Sequence, residues 1–451
     1  MGNDLLSEAT RQYVRQHKDD DVRMLALRGC KDPEVDLPMA LQQIQGRQTA
    51  RRKLPSWAAI EGIVYPQHIS MEQCSSELTA RHKAGVARHL LPGTKEAEAA
   101  DGKPARHKLI DLTGGFGVDF SFMARAFGEA VYVERDANLC AMASHNFSLL
   151  GLGHAATVCS TAEAFLSSLA PRQAPATAET QPLTVVYIDP ARRDTHGQRT
   201  YALSDCTPDA AALMPRLLSC AHYVLLKLSP MLDWRKAIAD LSPHRVAGVH
   251  IVAVDNECKE LLLLLSADAG PAGSSDTVAA YGAMARGGER AAGASAPRLV
   301  CTDLHCRDGS RTDYSPGSAA AAPPPSLPQP GAFLYEPNAA IMKAGCFSQL
   351  AADLAVSAIA PNSHLFTSPR PVGGFPGRTF RIQAISTMNK RDLRHTLANV
   401  RQANIAVRNF PLSAEELRRR LKLADGGTDY IFATTLADGT HSLLLCTKDL
   451  S

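Results

Sequence analysis

Leu109-Ile110-Asp111-Leu112-Thr113-Gly114-Gly115-Phe116-Gly117 decides the fold of this 451-residue chain. An apolar strand runs into a glycine-rich turn, and a helix opens behind it. Glu134 follows Gly117 by 17 residues and ends a second strand, Val131-Tyr132-Val133. Glycines let a nucleotide-like ligand lie close to the backbone, and the carboxylate can accept hydrogen bonds from ribose hydroxyls. The spacing is D-x-x-x-G-x-G rather than G-x-G-x-x-G, so the turn is not the dinucleotide fingerprint.

Outward from this turn, strand and helix alternate. Strands are predicted at 107–112, 130–134, 155–159, 183–188, 222–228, 246–254 and 259–265, and helices at 118–127, 136–150, 161–169, 206–219 and 233–241. Val-, Ile- and Leu-rich strands interleaved with helices imply a parallel sheet covered on both faces. Asp255 to Cys258 leaves room only for a tight turn, so the last two strands form an antiparallel hairpin. PRQAPATAETQP at 171–182 reads as a polar loop inserted before the fourth strand.

The flanks differ in kind. Residues 1–95 read as a helical region, with Ser70-x-x-Gln73 as a capping box opening a helix through about Leu91. A basic cluster (Arg47, Arg51, Arg52, Lys53) precedes Leu54-Pro55-Ser56-Trp57. Residues 92–106 mark a boundary and 107–266 the α/β domain. The Gly/Ala/Ser/Pro-rich stretch 267–330 reads as a loosely ordered linker, with at most a strand near 298–301. Order returns at Phe333-Leu334-Tyr335-Glu336-Pro337. A short segment, 331–375, then leads into a two-layer α+β domain at 376–451, where Ser413-x-x-Glu416 caps a helix.

Composition excludes little. The net charge of +3 neither demands nor forbids a nucleic-acid partner. Eleven cysteines without a C-x-x-C pair argue against a zinc cluster or a disulfide framework, and point to a reducing cytoplasm. The polar first 30 residues predict no signal peptide, and Leu261–Leu265 is too short to cross a membrane.

Tyr187-Ile188-Asp189-Pro190-Ala191-Arg192-Arg193 carries the second chemical signal, because Asp189-Pro190 resembles the [Asp/Asn]-Pro-Pro-aromatic motif of methyltransferases that modify exocyclic amines, and that resemblance implies the chemistry. An exocyclic amine on a base is a poor nucleophile, because its lone pair is delocalised into the ring. A carboxylate accepting its N–H bonds draws that pair back to nitrogen and stabilises charge developing in a displacement. Pro190 would fix the turn that aims Asp189. Arg192, Arg193 and Lys227 would sit around the cleft mouth, suited to phosphate. Lys227-Leu228-Ser229-Pro230 has no cysteine, which disfavours a thiol-dependent attack on a pyrimidine ring.

Asp111 to Gly117 resembles the first motif of class I S-adenosylmethionine methyltransferases, with Thr113 in place of that motif's first glycine. Ala191-Arg192 departs from the exocyclic-amine motif that Asp189-Pro190 resembles. With Leu54–Trp57, Glu72–Glu77, Lys227–Pro230 and Glu336–Ala339, nearly the whole chain is similar to bacterial members that carry a C-terminal THUMP-like domain. The resemblance implies a seven-stranded Rossmann-like domain, a helical amino-terminal domain and an α+β end with ferredoxin-like and THUMP-like parts. It implies that Asp111, Thr113, Gly115, Gly117, Glu134 and Glu163 hold S-adenosylmethionine. Asp189 and Pro190 would then be catalytic, and RNA (tRNA or rRNA) the partner. The expected activity is methylation of an RNA base, at an exocyclic amine of the guanine N2 type. A small-molecule or protein methyltransferase, or a non-catalytic RNA-binding protein of the same fold, stays open.

Overall fold

The computed structural model describes residues 5–91, 107–172, 183–192, 203–267, 296–317 and 321–449. Arg193 and nearly all of the 171–182 insertion lie outside these residues. The chain divides into two compact units: residues 1–249 with 260–284 and 295–297, and residues 250–259 with 285–294 and 298–451.

The first unit opens on helices α1 (Glu8–His17), α2 (Val22–Arg28), α3 (Leu37–Lys53), α4 (Pro55–Ala58), α5 (His68–Gln73) and α6 (Glu77–His89). Ser7, Asp21, Asp36 and Ser76 each accept backbone N–H groups that helix starts leave unpaired. The single helix expected from Ser70 onward is two. Ser70 lies inside α5, which stops at Gln73, and Ser76 caps α6. Extended backbone at Cys74 (ψ 158°) breaks the helical run between them.

Strands β1 (Lys108–Asp111), β2 (Glu129–Glu134), β3 (Ala155–Cys159), β4 (Thr184–Ile188) and β7 (Tyr223–Leu228) are parallel neighbours. Between β4 and β7 the two-residue strands β5 (Ala191–Arg192) and β6 (Cys206–Thr207) pair with each other. Two long strands follow, β8 (Val246–Val254) and β9 (Glu257–Ser266), and β9 runs antiparallel to β7. Within a nine-stranded sheet, the order β8-β9-β7-β4-β1-β2-β3 is the seven-stranded Rossmann-like arrangement expected. Positive φ at Asp255 and Asn256 makes the tight hairpin turn, a conformation these short polar residues tolerate. Helices α7 (Val118–Met123), α8 (Ala137–Leu149), α9 (Ala162–Ser168), α10 (Ala210–Cys220) and α11 (Trp234–Asp240) link the strands.

One core runs from the amino-terminal helices into this sheet. Trp57, fully buried, packs edge-on against Phe116 of the glycine turn with ring centroids 4.9 Å apart. Asn146 of α8 bonds both backbone polar groups of Val64, at 2.9 Å each. The amino-terminal helices are therefore packed onto the α/β domain rather than tethered to it.

The second unit contains an antiparallel hairpin, β10 (Arg298–Leu304) and β11 (Arg311–Tyr314), inside the stretch read as a loose linker. Gly309 supplies the left-handed turn residue, φ +69°. Strands β12 (Phe333–Pro337), β13 (Ser357–Ala358), β14 (Phe366–Ser368), β15 (Gly377–Thr387), β16 (Asn404–Arg408), β17 (Asp429–Thr435) and β18 (His441–Lys448) form one sheet, ordered β13-β14-β12-β15-β18-β17-β16. The pieces read as separate at 331–375 and 376–451 share that sheet, because β12 pairs with β15. Helices α12 (Ala339–Ala344), α13 (Phe347–Leu354), α14 (Lys390–Thr396) and α15 (Ala414–Leu421) connect the strands. Ser413 and Glu416 form a complete capping box on α15.

Candidate functional site

The carboxyl ends of β1, β2 and β4 open onto one cleft of about 330 Å³, at the low end of the range for small-molecule sites. Asp111, Thr113, Gly115, Gly117, Glu134, Glu163 and Asp189 all line it. Parallel strands bring these residues together because their carboxyl ends share one edge of the sheet.

Each motif residue has a local task. Asp111 is buried and its Oδ1 accepts the Thr113 N–H at 3.0 Å. Burial raises the Asp111 carboxyl well above the usual range, and the neighbouring Asp119, Asp189 and Glu134 add to this. Glu134 Oε2 accepts the Gly115 N–H at 2.9 Å, while Oε1 accepts the N–H groups of Arg135 and Asp136. This carboxylate shapes the turn opposite it. The Thr113 hydroxyl accepts the Asp189 N–H at 2.7 Å, fastening the end of β4 to the glycine turn.

The three glycines serve different ends. A Cβ at Gly114 would stand 2.1 Å from the Tyr132 ring, and one at Gly117 2.8 Å from Phe147. Those two make room for the protein's own aromatic rings. Gly115, at φ +54°, has no atom nearer than 3.9 Å to where a Cβ would stand. It alone matches the expectation of glycine as clearance for a ligand.

Lys227 does not stand at the cleft mouth. Its side chain is largely buried, and Nζ lies 2.5 Å from Asp189 Oδ2 and 3.9 Å from Asp119 Oδ2. Burial alone would lower its pKa, but Asp189, Asp119 and Glu260 together raise it, so the ammonium stays charged. A buried cation goes where carboxylates compensate its lost hydration, not toward solvent phosphate. Pro190 is buried. Glu163 is exposed in the first turn of α9.

Sequence reading missed one wall of the cleft. Ser70, Gln73, Cys74 and Ser75, at the junction of α5 and α6, line it. The polar run Glu72–Glu77 was the available signal, since it carries no large apolar side chain to bury and so has another use. Ser75 Oγ donates to Asp119 Oδ2 at 2.7 Å, and the Tyr187 hydroxyl to the same oxygen at 2.8 Å. Burial and the charges of Asp119 and Asp189 push the Tyr187 phenol well up, so it stays a donor.

In the second unit the basic residues divide. Arg378 and Arg408 both bind Glu336, Arg418 binds Asp425, and Arg381 lies over the Phe333 ring at 4.6 Å. Arg391, Arg394, Arg401, Arg419 and Arg420 are exposed.

Residues 377–448 match the family model of a THUMP domain-like domain, and 333–376 that of a ferredoxin-like domain. No curated protein matches the chain. A crystal structure from Porphyromonas gingivalis W83, provisionally assigned as a methyltransferase, is 28% identical with a TM-score of 0.74. The match covers 98% of this chain and 97% of that one. An rRNA methylase from Streptococcus thermophilus matches at 12% identity and TM-score 0.28, over 41% of this chain and 94% of its own. A methyltransferase from Geobacter sulfurreducens matches at 16% and 0.30, over 55% and 96%. At those TM-scores neither carries weight. The sheet order, the two matched carboxyl-terminal domains and the full-length counterpart bear out the resemblance to class I methyltransferases with a C-terminal THUMP-like domain.

Proposed function

We propose that the chain methylates an exocyclic amine of an RNA base, of the guanine N2 type, with S-adenosylmethionine as donor. One observation carries the reading. The Asp189 backbone is fastened to Thr113 of the glycine turn at 2.7 Å, so the β4 carboxylate and the cofactor-type turn face one cleft.

The cleft residues fit the cofactor. Open space at Gly115 admits it against the backbone, Glu134 stands where ribose hydroxyls are bound in sheets of this kind, and Glu163 lines the same cleft. Bound there, the sulfonium supplies an activated methyl group. Asp189, half-exposed, accepts N–H bonds from the target amine and draws its lone pair to nitrogen. Lys227 holds the other side of that carboxylate and fixes its rotation. Tyr187 and Ser75 hold Asp119 beneath it. A base in structured RNA has to be unstacked to reach the cleft.

RNA as substrate rests on the THUMP-like match and on the exposed arginines of that domain, suited to phosphate. Arg192 and Arg193 would contribute at the cleft, on sequence grounds alone. Two measurements test the proposal. Calorimetric titration should show S-adenosylmethionine binding. Mass spectrometry of nucleosides from a strain lacking the protein should miss one methylated guanosine, restored by wild type but not by Asp189→Ala. An unchanged nucleoside profile refutes the assignment.

A further inference from the structure

Five charged side chains of the first unit alternate in sign through its interior and end at the cleft. Glu260 on β9 binds Lys83 Nζ through both oxygens, at 2.7 and 2.6 Å. Lys83 Nζ lies 3.3 Å from Asp119 Oδ1, and Lys227 Nζ stands between Asp119 and Asp189. Lys83 is 0% exposed and Glu260 is buried with it. Neither lines the cleft, and the methyl-transfer reading has no use for either. Burying so many charges is costly unless each is held by its neighbours, and replacing such pairs with apolar side chains often stabilises a fold. Packing alone therefore does not explain them.

We propose that Lys83 and Glu260 are positioning residues for Asp189. This rests on the reading of Asp189 as the group that receives the substrate amine. The argument is electrostatic. Lys227 is shared by two carboxylates and sits close to Asp189, at 2.5 Å, but 3.9 Å from Asp119. Lys83 makes that asymmetry possible by supplying Asp119 with a cation of its own. Ser75 and Tyr187 complete Asp119's shell with neutral donors. Without Lys83, Asp119 is left with one cation in reach, and Lys227 is drawn inward and off Asp189. Glu260 keeps Lys83 charged and in place. Helix α6, which carries Lys83, thereby becomes a working part of the site although no atom of Lys83 reaches the cleft.

The test uses the full chain with Lys83→Met, and with Lys83→Met plus Glu260→Met, which removes the pair together and protects folding. Crystal structures of the variants read the Lys227–Asp189 separation directly, with no activity required. The proposal expects it to open beyond 4 Å. Retention near 2.5 Å in the double variant overturns the proposal, whatever the activity. The rate of methyl transfer to RNA from a strain lacking the protein should fall at least about tenfold, while S-adenosylmethionine affinity by calorimetry stays within about twofold. Lys83→Arg should restore much of the rate. A rate that falls only in step with the folded fraction also overturns it. If wild type transfers no methyl group at all, the functional reading fails, and the crystallographic arm still decides the positioning role.

Discussion

Each unit buries a carboxylate between two cations, and the two solutions differ. In the second unit Glu336 is held by Arg378 and Arg408, whose side chains are 38% and 35% exposed. In the first, Asp119 is held by Lys83 and Lys227, both largely or wholly buried. The Glu336 guanidiniums keep part of their hydration and can turn back to water. They join β12, β15 and β16, and the cluster ends there. The Asp119 ammoniums have no such retreat, and one of them passes its charge on to Asp189 at the cleft. A cluster that ends in solvent staples a sheet, whereas one that ends in a cleft can set the geometry of a reacting group.

The sharpest break of this comparison is Asp119→Ala. It leaves each buried ammonium with one carboxylate, Lys83 with Glu260 and Lys227 with Asp189, and takes the acceptor from the buried Ser75 and Tyr187 hydroxyls, so urea unfolding should show a loss of about 2–4 kcal/mol. A loss under about 1 kcal/mol would mean that water already reaches the cluster and that the first unit is no different from the second.

The next effect has the opposite sign. Asp111 is buried beside the same cluster without a cation of its own, and burial raises its pKa in the folded state well above the usual carboxylate value. Its contribution to stability is therefore complete below the unfolded pKa of about 4 and is lost as pH rises toward the folded value. Asp111→Asn keeps an acceptor for the Thr113 N–H and cannot ionise. It should leave stability at pH 4 nearly unchanged and raise it at pH 8, measured by urea midpoints. No difference between the two pH values would mean that water reaches the Asp111 carboxylate.

Much of the first unit was legible in the sequence, for a physical reason. Parallel strands buried on both faces must be apolar along their length, so Leu109–Ile110, Val131–Val133 and Val185–Ile188 stand out against the helices between them. The glycine turn was legible as a turn, but two of its glycines answer to Tyr132 and Phe147, partners that no local pattern announces. Buried charges were the least legible. Lys83 and Glu260 are 177 residues apart, and a lone lysine on a helix reads as a wet face until the fold brings its carboxylate to it. The hairpin at 298–314 was hidden by the Gly/Ala/Ser/Pro-rich composition around it, although Asp308-Gly309 is a turn signal. The break between α5 and α6 was missed because two serines, Ser70 and Ser76, both suit a helix start, and contacts decided between them. Ser76 accepts the Thr79 N–H, and the next residue, Glu77, accepts the backbone and hydroxyl of Ser56.

The mildest test returns to Glu336. Glu336→Gln keeps the shape and one acceptor, and frees Arg378 and Arg408 to hydrate. Because both guanidiniums are already more than a third exposed, the charge contributes little beyond its hydrogen bonds, and the loss should be about 1 kcal/mol in urea. Part of that loss should disappear in 1 M salt, where exposed charges are screened within about 3 Å. Asp119→Ala should show no such salt relief, since its ammoniums are buried beyond the reach of mobile ions. If the two variants responded alike to salt, the Asp119 cluster would be open to solvent, and nothing would distinguish the charges that hold Asp189 from those that staple β12.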